Sequence, residues 1–315
     1  MQNLIKRIIE KDIRAAAHAI SVIENGRQSS SYLLKQIYGN TGNAYRIGIT
    51  GPPGAGKSTI VNQVAKIIKE RNKRVGIIAV DPTSPFTGGA LLGDRIRMSE
   101  IGSDSNIFIR SMASRGSLGG LSKKVIDAAD VLDAAGYDYI LLETVGVGQS
   151  ELDIVKAADT TAVVLVPESG DSIQAMKAGL MEIADIFVLN KSDRPGSEQA
   201  LASLKTILMM RPHDEHTWLP GIIKTVATEN LGINDIFSEI EKHREFLIKK
   251  NFFMKKREKQ TKNRIKEIVE DYLRDALWNA ERENSLDSSL EKVVIGKLSP
   301  YQIAEELIEN FKKEM

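Results

Sequence analysis

The chain has no cysteine among its 315 residues, which excludes disulfides and thiolate metal or redox sites. Aromatics are sparse at 5%, too few to build the stacking platforms of a nucleic-acid surface. Charge of one sign is also missing. The 43 Lys and Arg against 42 Asp and Glu leave a net charge of +1, so no overall field favours nucleic acid or membrane. No apolar run approaches the roughly 20 residues that a membrane helix needs. Residues 1–14 mix Lys and Arg with Glu10 and Asp12, which suits neither a signal peptide nor an acid-poor transit peptide. The expectation is a soluble cytoplasmic protein with no nucleic-acid and no membrane partner.

What is present is apolar residue in quantity, 42%, enough for a large α/β core with additional elements. Seven short apolar runs, at 46–50, 75–80, 106–110, 139–143, 161–166, 186–190 and 222–227, alternate with amphipathic segments. Near-continuous β-branched runs of this length suit strands buried on both faces of a parallel sheet. The fold class expected is α/β, a mostly parallel sheet flanked by helices, and Gly-x4-Gly-Lys-Ser at 51–59, after the first run, makes it a P-loop NTPase. Residues 4–24 place Ile and Ala at helical spacing, while Ser29–Ser31 and Gly39–Asn43 read as turns. Residues 1–42 are therefore read as an N-terminal helical extension, 43–246 as the nucleotide-binding domain and 247–315 as a C-terminal helical region.

The segment GPPGAGKST at 51–59 fits Gly-x4-Gly-Lys-Ser between a predicted strand and a predicted helix. Its glycines let backbone N–H groups approach phosphates, and the helix N-terminus favours negative charge. Gly51, Gly54, Ala55, Gly56, Lys57, Ser58 and Thr59 are the expected phosphate cradle. Lys57 should reach the β- and γ-phosphates, and Ser58 should ligate Mg²⁺. Further on, NKSD at 190–193 ends a predicted strand. The Asp193 carboxylate can accept from both the ring N–H and the exocyclic amine of guanine, a donor pair that adenine lacks. Asn190 and Lys191 would buttress base and loop, and Val226 and Ala227 would form a second base-contacting loop. The expected ligands are GTP and GDP with Mg²⁺.

Three acids are candidates for the metal and for catalysis beside Lys57. Asp81 ends a predicted strand, where α/β sheets place their ligands. Asp94 follows in a long Gly- and Pro-containing loop, and such loops are more often functional than filler. Solvated acids on a surface turn are the other reading for both. Glu143 ends the fourth run and opens Glu-Thr-Val-Gly, where a nucleotide switch usually carries Asp-x-x-Gly. A carboxylate there orients a metal-bound water, and the Gly146 N–H would sense the γ-phosphate. Val147 stands where many regulatory GTPases carry a water-orienting Gln. The expectation is slow intrinsic hydrolysis that a partner accelerates. Arg95, Arg97, Arg110 and Arg115 are candidate charge stabilisers, or else solvated or ion-paired arginines.

The stretches 48–59, 79–98, 108–122, 141–151 and 163–193 together resemble the methylmalonyl-CoA mutase-associated GTPases, the ArgK/MeaB group. The resemblance covers roughly residues 11–246 well. It implies a GTPase that attends an adenosylcobalamin (B12)-dependent acyl-CoA mutase, gating cofactor loading and protecting the radical enzyme. It also implies that ESGDSIQAMKAG at 168–179 is an additional switch facing the mutase, with Asp171, Gln174 and Lys177 as its contacts. By its spacing alone that stretch is an ordinary strand-to-helix connection. The second base loop, KTVATENLGI at 224–233, lacks the Ser-Ala start common in GTPases.

Two other functions remain open: a metallochaperone for a nickel enzyme, and a kinase of a periplasmic transport protein. The absence of Cys and the scattered histidines count against metal delivery. His213 and His216 are three apart, but with only His18 and His243 besides they read as structural or solvated, because a transition-metal site usually needs three or four ligands. No acceptor site or base identifies a kinase.

After residue 246 the pattern is helical throughout. Residues 249–266 hold nine Lys and Arg against one acid, and 267–315 hold twelve acids against six bases. Ile265, Ile268, Val269, Tyr272, Leu273, Ala276 and Leu277 form one apolar stripe. It packs on the chain's own domain or, as the resemblance suggests, forms a homodimer seam. Ser299, Pro300 and Gln302 have the spacing of a helix start with a capping box.

Overall fold

The computed structural model describes residues 1–25, 27–81, 106–113, 123–144, 150–167, 178–210, 212, 214 and 216–314. All seven expected strands form: β1 Tyr45–Thr50, β2 Val75–Asp81, β3 Ile107–Ala113, β4 Tyr139–Glu143, β5 Thr160–Leu165, β6 Ile186–Asn190 and β7 Gly221–Thr225. They make one sheet in the order β3-β2-β4-β1-β5-β6-β7, and every neighbouring pair is parallel. Strands β2–β4 lie on one side of β1 and β5–β7 on the other. The crevice beyond the carboxyl end of β1 is thus the topological switch point, where open α/β sheets bind ligands.

Alternation along the strands divides the core. On β4, Ile140 and Leu142 face one layer while Tyr139 and Leu141 face the other. The first layer is closed by the N-terminal helices α1 Gln2–Ile9, α2 Ile13–Asn25 and α3 Arg27–Ile37, together with α5 Lys123–Ala134. The second is closed by α4 Lys57–Glu70 and α9 Ile233–Lys249. Beyond β5 and β6, α7 Ala178–Ile183 and α8 Ser197–Met209 cover a third apolar cluster around Phe187 and Leu204. A short turn, α6 Ser150–Asp153, precedes β5. Burying both faces is what the uninterrupted Val/Ile/Leu runs require.

The helical stretch 4–24 forms as two helices, because Lys11 adopts φ +65° and Asp12 starts a new helix. The Asp12 carboxylate accepts from the Arg14 and Ala15 amides at 2.8 and 3.2 Å, satisfying orphan N–H groups. The Arg7 guanidinium bonded to it holds this carboxyl below the usual carboxylate range. Ser29–Ser31 lies inside α3 rather than in a turn. Burial of Leu33 and Ile37 one and two turns later outweighs the weak helix propensity of serine, and Ser30 Oγ donates to the Val22 carbonyl at 3.3 Å.

Residues 1–254 form one compact unit and residues 255–315 a second. The three N-terminal helices thus belong to the same unit as the sheet. The long helix α10 Phe252–Leu277 leads out of the first unit, and α11 Ala280–Val294 and α12 Pro300–Glu314 follow. The capping box forms as its spacing predicts: the Gln302 amide donates to Ser299 Oγ at 3.2 Å, and the Ser299 amide donates to Gln302 Oε1 at 2.8 Å. Arg282, 5% exposed, fastens the second unit. It donates to the Ala276 and Leu277 carbonyls at the end of α10, ion-pairs with Glu314 and lies over the Phe311 ring.

Candidate functional site

At the carboxyl edge of β1 the chain turns through Gly51, Gly54 and Gly56, all with positive φ. Two of these glycines are also required by close approach. A Cβ on Gly51 would stand 2.1 Å from the Val164 carbonyl oxygen, and one on Gly56 would stand 2.3 Å from Asn190 Nδ2. The loop therefore presses against β5 on one side and against the end of β6 on the other. It opens directly into α4, whose first residue is Lys57. Lys57 is buried, with Nζ donating to the Gly51 and Pro52 carbonyls at 2.9 and 3.0 Å. A phosphate oxygen, being charged, is a stronger acceptor than either carbonyl, so an arriving phosphate draws the ammonium to itself.

Ser58 Oγ donates to Glu143 Oε1 at 2.6 Å, which joins the phosphate loop to the end of β4. Glu143 is only 5% exposed. The next residue is anchored as well: the Thr144 amide donates to the Ile49 carbonyl at 3.1 Å, and Thr144 Oγ1 donates to Thr50 Oγ1 at 2.8 Å.

Asn190 joins three loops. Its Nδ2 donates to the Ala55 carbonyl at 2.8 Å, while its Oδ1 accepts from Thr225 Oγ1 and from the Ala227 amide, each at 3.1 Å. The phosphate loop, the end of β6 and the turn after β7 are thus fixed to one another through one buried amide. Lys191 takes a left-handed backbone, φ +56°, and Ser192 donates through both its amide and its Oγ to the Thr225 carbonyl at 3.0 Å. Asp193 is exposed beside this turn. Val226 and Ala227 begin the turn after β7, closed by a Val226–Leu231 bridge.

The sequence model of the family described as methylmalonyl-CoA mutase-associated GTPase MeaB matches residues 16–282. This chain belongs to the MeaB family. A Pyrococcus abyssi relative whose name calls it a GTPase is 46% identical over 310 residues, 98% of this chain and 96% of its own. The methylmalonic aciduria type A homolog of Mus musculus, named as mitochondrial, is 32% identical over 318 residues, 94% of this chain and 76% of its own. A solved structure described as a LAO/AO transport system kinase superposes with a TM-score of 0.74 at 26% identity, covering 99% of this chain and 97% of its own. The chain is accordingly a GTPase with the P-loop fold.

Of the residues expected in that site, the phosphate loop, Glu143, Asn190, Lys191, Asp193, Val226 and Ala227 all lie along one edge of the sheet. Asp81 ends β2 on the same edge. Asp94, Gly146, Val147, Asp171, Gln174 and Lys177 lie outside the described residues, as do Arg95, Arg97, Arg115 and His213. Arg110 does not face this edge as a charge stabiliser. It sits in β3, ion-paired with Glu24 and donating to Ser21 Oγ at 3.1 Å. His243 is buried with Nδ1 2.8 Å from Thr160 Oγ1 and its ring 4.9 Å from Trp218, while His18 and His216 are exposed. Among the described residues no three His, Cys, Asp or Glu side chains gather as a metal site, and no helix is long and apolar enough to cross a membrane. The linking threonines Thr50, Thr144 and Thr225 stand beside or between the defining positions of the motifs rather than at them. Threonine at strand ends is common, and only the strand order reveals which of them meet.

Mg²⁺ suits the donors present. It is a hard cation that is usually bound through one or two protein oxygens together with substrate phosphates and waters. The Ser58 hydroxyl and the Glu143 carboxylate, already within hydrogen-bond reach of each other, are two such oxygens.

Proposed function

We propose that this MeaB-family protein hydrolyses GTP as a chaperone of a B12-dependent acyl-CoA mutase of the methylmalonyl-CoA mutase type, gating adenosylcobalamin loading and protecting the radical enzyme. The observation that carries the hydrolytic part is the Ser58–Glu143 bond, which couples the phosphate loop to the strand end that opens the switch. The family description, which names association with that mutase, supports the partner.

In this reading Gly51, Gly54, Ala55, Gly56 and Thr59 offer backbone N–H groups to the phosphates, and Lys57 meets the β- and γ-phosphates. Ser58 and Glu143, with Asp81 and Asp94, hold Mg²⁺. When bound, that ion neutralises charge developing on the phosphate oxygens. Glu143 orients a metal-bound water, and Gly146 senses whether the γ-phosphate is present. Asp193 reads guanine, with Asn190, Lys191, Val226 and Ala227 shaping the base pocket.

Hydrolysis is slow in the isolated protein, because Val147 has no group to orient the water. Asp171, Gln174 and Lys177 face the mutase, and the exposed stripe on α10 pairs two copies of the chain. Size-exclusion chromatography with a purified adenosylcobalamin-dependent acyl-CoA mutase tests the partner. A complex formed with a non-hydrolysable GTP analogue is expected, and no complex in any nucleotide state contradicts the reading.

A further inference from the structure

The hydrogen bond between Thr144 and Thr50 has no part in the nucleotide contacts described above, yet it lies at the junction of their two carriers. We infer that Thr144 is a positioning residue for GTP hydrolysis, acting through Glu143 by tying the acid-bearing end of β4 to the strand end that opens the phosphate loop. The inference rests on the hydrolytic part of the proposed function and is independent of the mutase.

Three observations bring the geometry together. The β1–β4 pairing runs as far as Ile49 opposite Glu143, and the Thr144 amide adds one more bond to the Ile49 carbonyl at 3.1 Å. One residue beyond the paired strands, the side chains continue the connection, with Thr144 Oγ1 donating to Thr50 Oγ1 at 2.8 Å. Both threonines are fully buried, 1% and 0% exposed, so neither hydroxyl can exchange this partner for bulk water.

The neighbours of the pair are the functional groups. Thr50 precedes Gly51, whose carbonyl holds the Lys57 ammonium. Thr144 follows Glu143, whose carboxylate holds the Ser58 hydroxyl. The Thr144–Thr50 and Glu143–Ser58 bonds therefore span the gap between the end of β4 and the phosphate loop from consecutive residues, the one directly after β4 and the last of β4. One is a buried neutral bond that nothing in the reaction needs to break. The other must open whenever Ser58 or Glu143 turns to a metal or a water. The first keeps the gap constant while the second opens. Valine at 144 matches threonine in shape but cannot make the bond, and serine keeps the hydroxyl.

The test uses the full-length protein and the variants Thr144→Val, Thr144→Ser, Thr50→Val and the double valine. Single-turnover GTP hydrolysis, GDP affinity and the Mg²⁺ concentration for half-maximal rate are measured for each. Thr144→Val is expected to slow hydrolysis by about tenfold and to raise the Mg²⁺ requirement, because small misplacements of a catalytic group are costly in rate. GDP affinity should stay within about twofold, since the base and phosphate-loop contacts are untouched. Thr144→Ser should restore the parent rate to within about twofold. The double valine should be no slower than Thr144→Val, since both lose the same bond.

A rate for Thr144→Val within about twofold of the parent overturns the positioning role. So does a fall in GDP affinity as large as the fall in rate, or a serine variant as slow as the valine. Should Thr144→Val not fold, Thr50→Val removes the acceptor of the same bond and carries the same expectations. A parent protein that does not hydrolyse GTP overturns the hydrolytic reading along with this one. An active parent with unaffected variants overturns only the role of Thr144.

Discussion

The amide of Asn190 carries more of the site than its place in a base-reading motif suggests. Replacing it with Ala leaves the Ala55 carbonyl, the Thr225 hydroxyl and the Ala227 amide without their partner inside the protein. Buried groups left unpaired cost about 1–3 kcal/mol each, with partial relief as water enters. Asn190→Ala is therefore expected to lower unfolding stability by about 3 kcal/mol in urea titration. It should also weaken GTP and GDP alike by at least about tenfold, measured by calorimetry. Loss of GTP binding alone would place Asn190 at the γ-phosphate and contradict this account.

Tyr139 gives a second test at the same scale. Burial pushes its hydroxyl up to about 12, beside Glu241 and Arg244. Its folded pKa is raised above the unfolded value near 10, so its contribution to stability is complete below pH 10 and is lost as pH rises toward 12. Tyr139→Phe should be less stable than the parent at pH 8, where the hydroxyl's two hydrogen bonds are lost. The gap should narrow between pH 10 and 12 in denaturant titrations, because only the parent has this proton to lose.

Among the elements, the strands were legible because a sheet covered on both faces writes the same signal seven times: a short β-branched run ending where a loop must begin. Their order was not legible. Nothing in the run 139–143 says that it lies between β2 and β1, and that placement is what sets Glu143 against Ser58 and Thr144 against Thr50. The phosphate loop and the guanine motif could be read because each sits in a few consecutive residues at a strand end. Arg110 was open in sequence because an arginine closing an apolar run looks the same whether it meets a phosphate or Glu24. The break at Lys11 is not legible, because apolar periodicity continues across it while the carboxylate of Asp12 starts the second helix. Arg282 was likewise invisible, since its partners Ala276, Leu277, Phe311 and Glu314 meet only when three helices fold together. Arg282→Ala should destabilise the 255–315 unit by about 2 kcal/mol, as expected when a buried charged donor and its hydrogen bonds are removed. Hydrogen exchange should then speed up in 276–314, while amides of the central sheet keep their protection.

For the whole molecule, the relevant surface is the stripe on α10. Ile265, Ile268, Val269 and Tyr272 are each more than half exposed, and no residue of that helix is buried. Scattered exposed apolar residues need no explanation, but a row of them along one helix face marks a contact surface. If it is the seam of a homodimer, Ile268→Glu should convert a dimer to a monomer in multi-angle light scattering, with the GTPase rate of the isolated protein little changed. A parent protein that is monomeric at micromolar concentration would contradict the seam.

The molecule as a whole is read as a slow GTP clock that a mutase speeds up, and one comparison tests that most directly. Single-turnover GTP cleavage is measured for the full-length protein alone and with a stoichiometric excess of purified adenosylcobalamin-dependent acyl-CoA mutase. The account predicts slow cleavage alone and an acceleration of about tenfold or more with the mutase, abolished by Glu143→Gln. Rapid cleavage alone, or a rate that the mutase leaves unchanged, would contradict it.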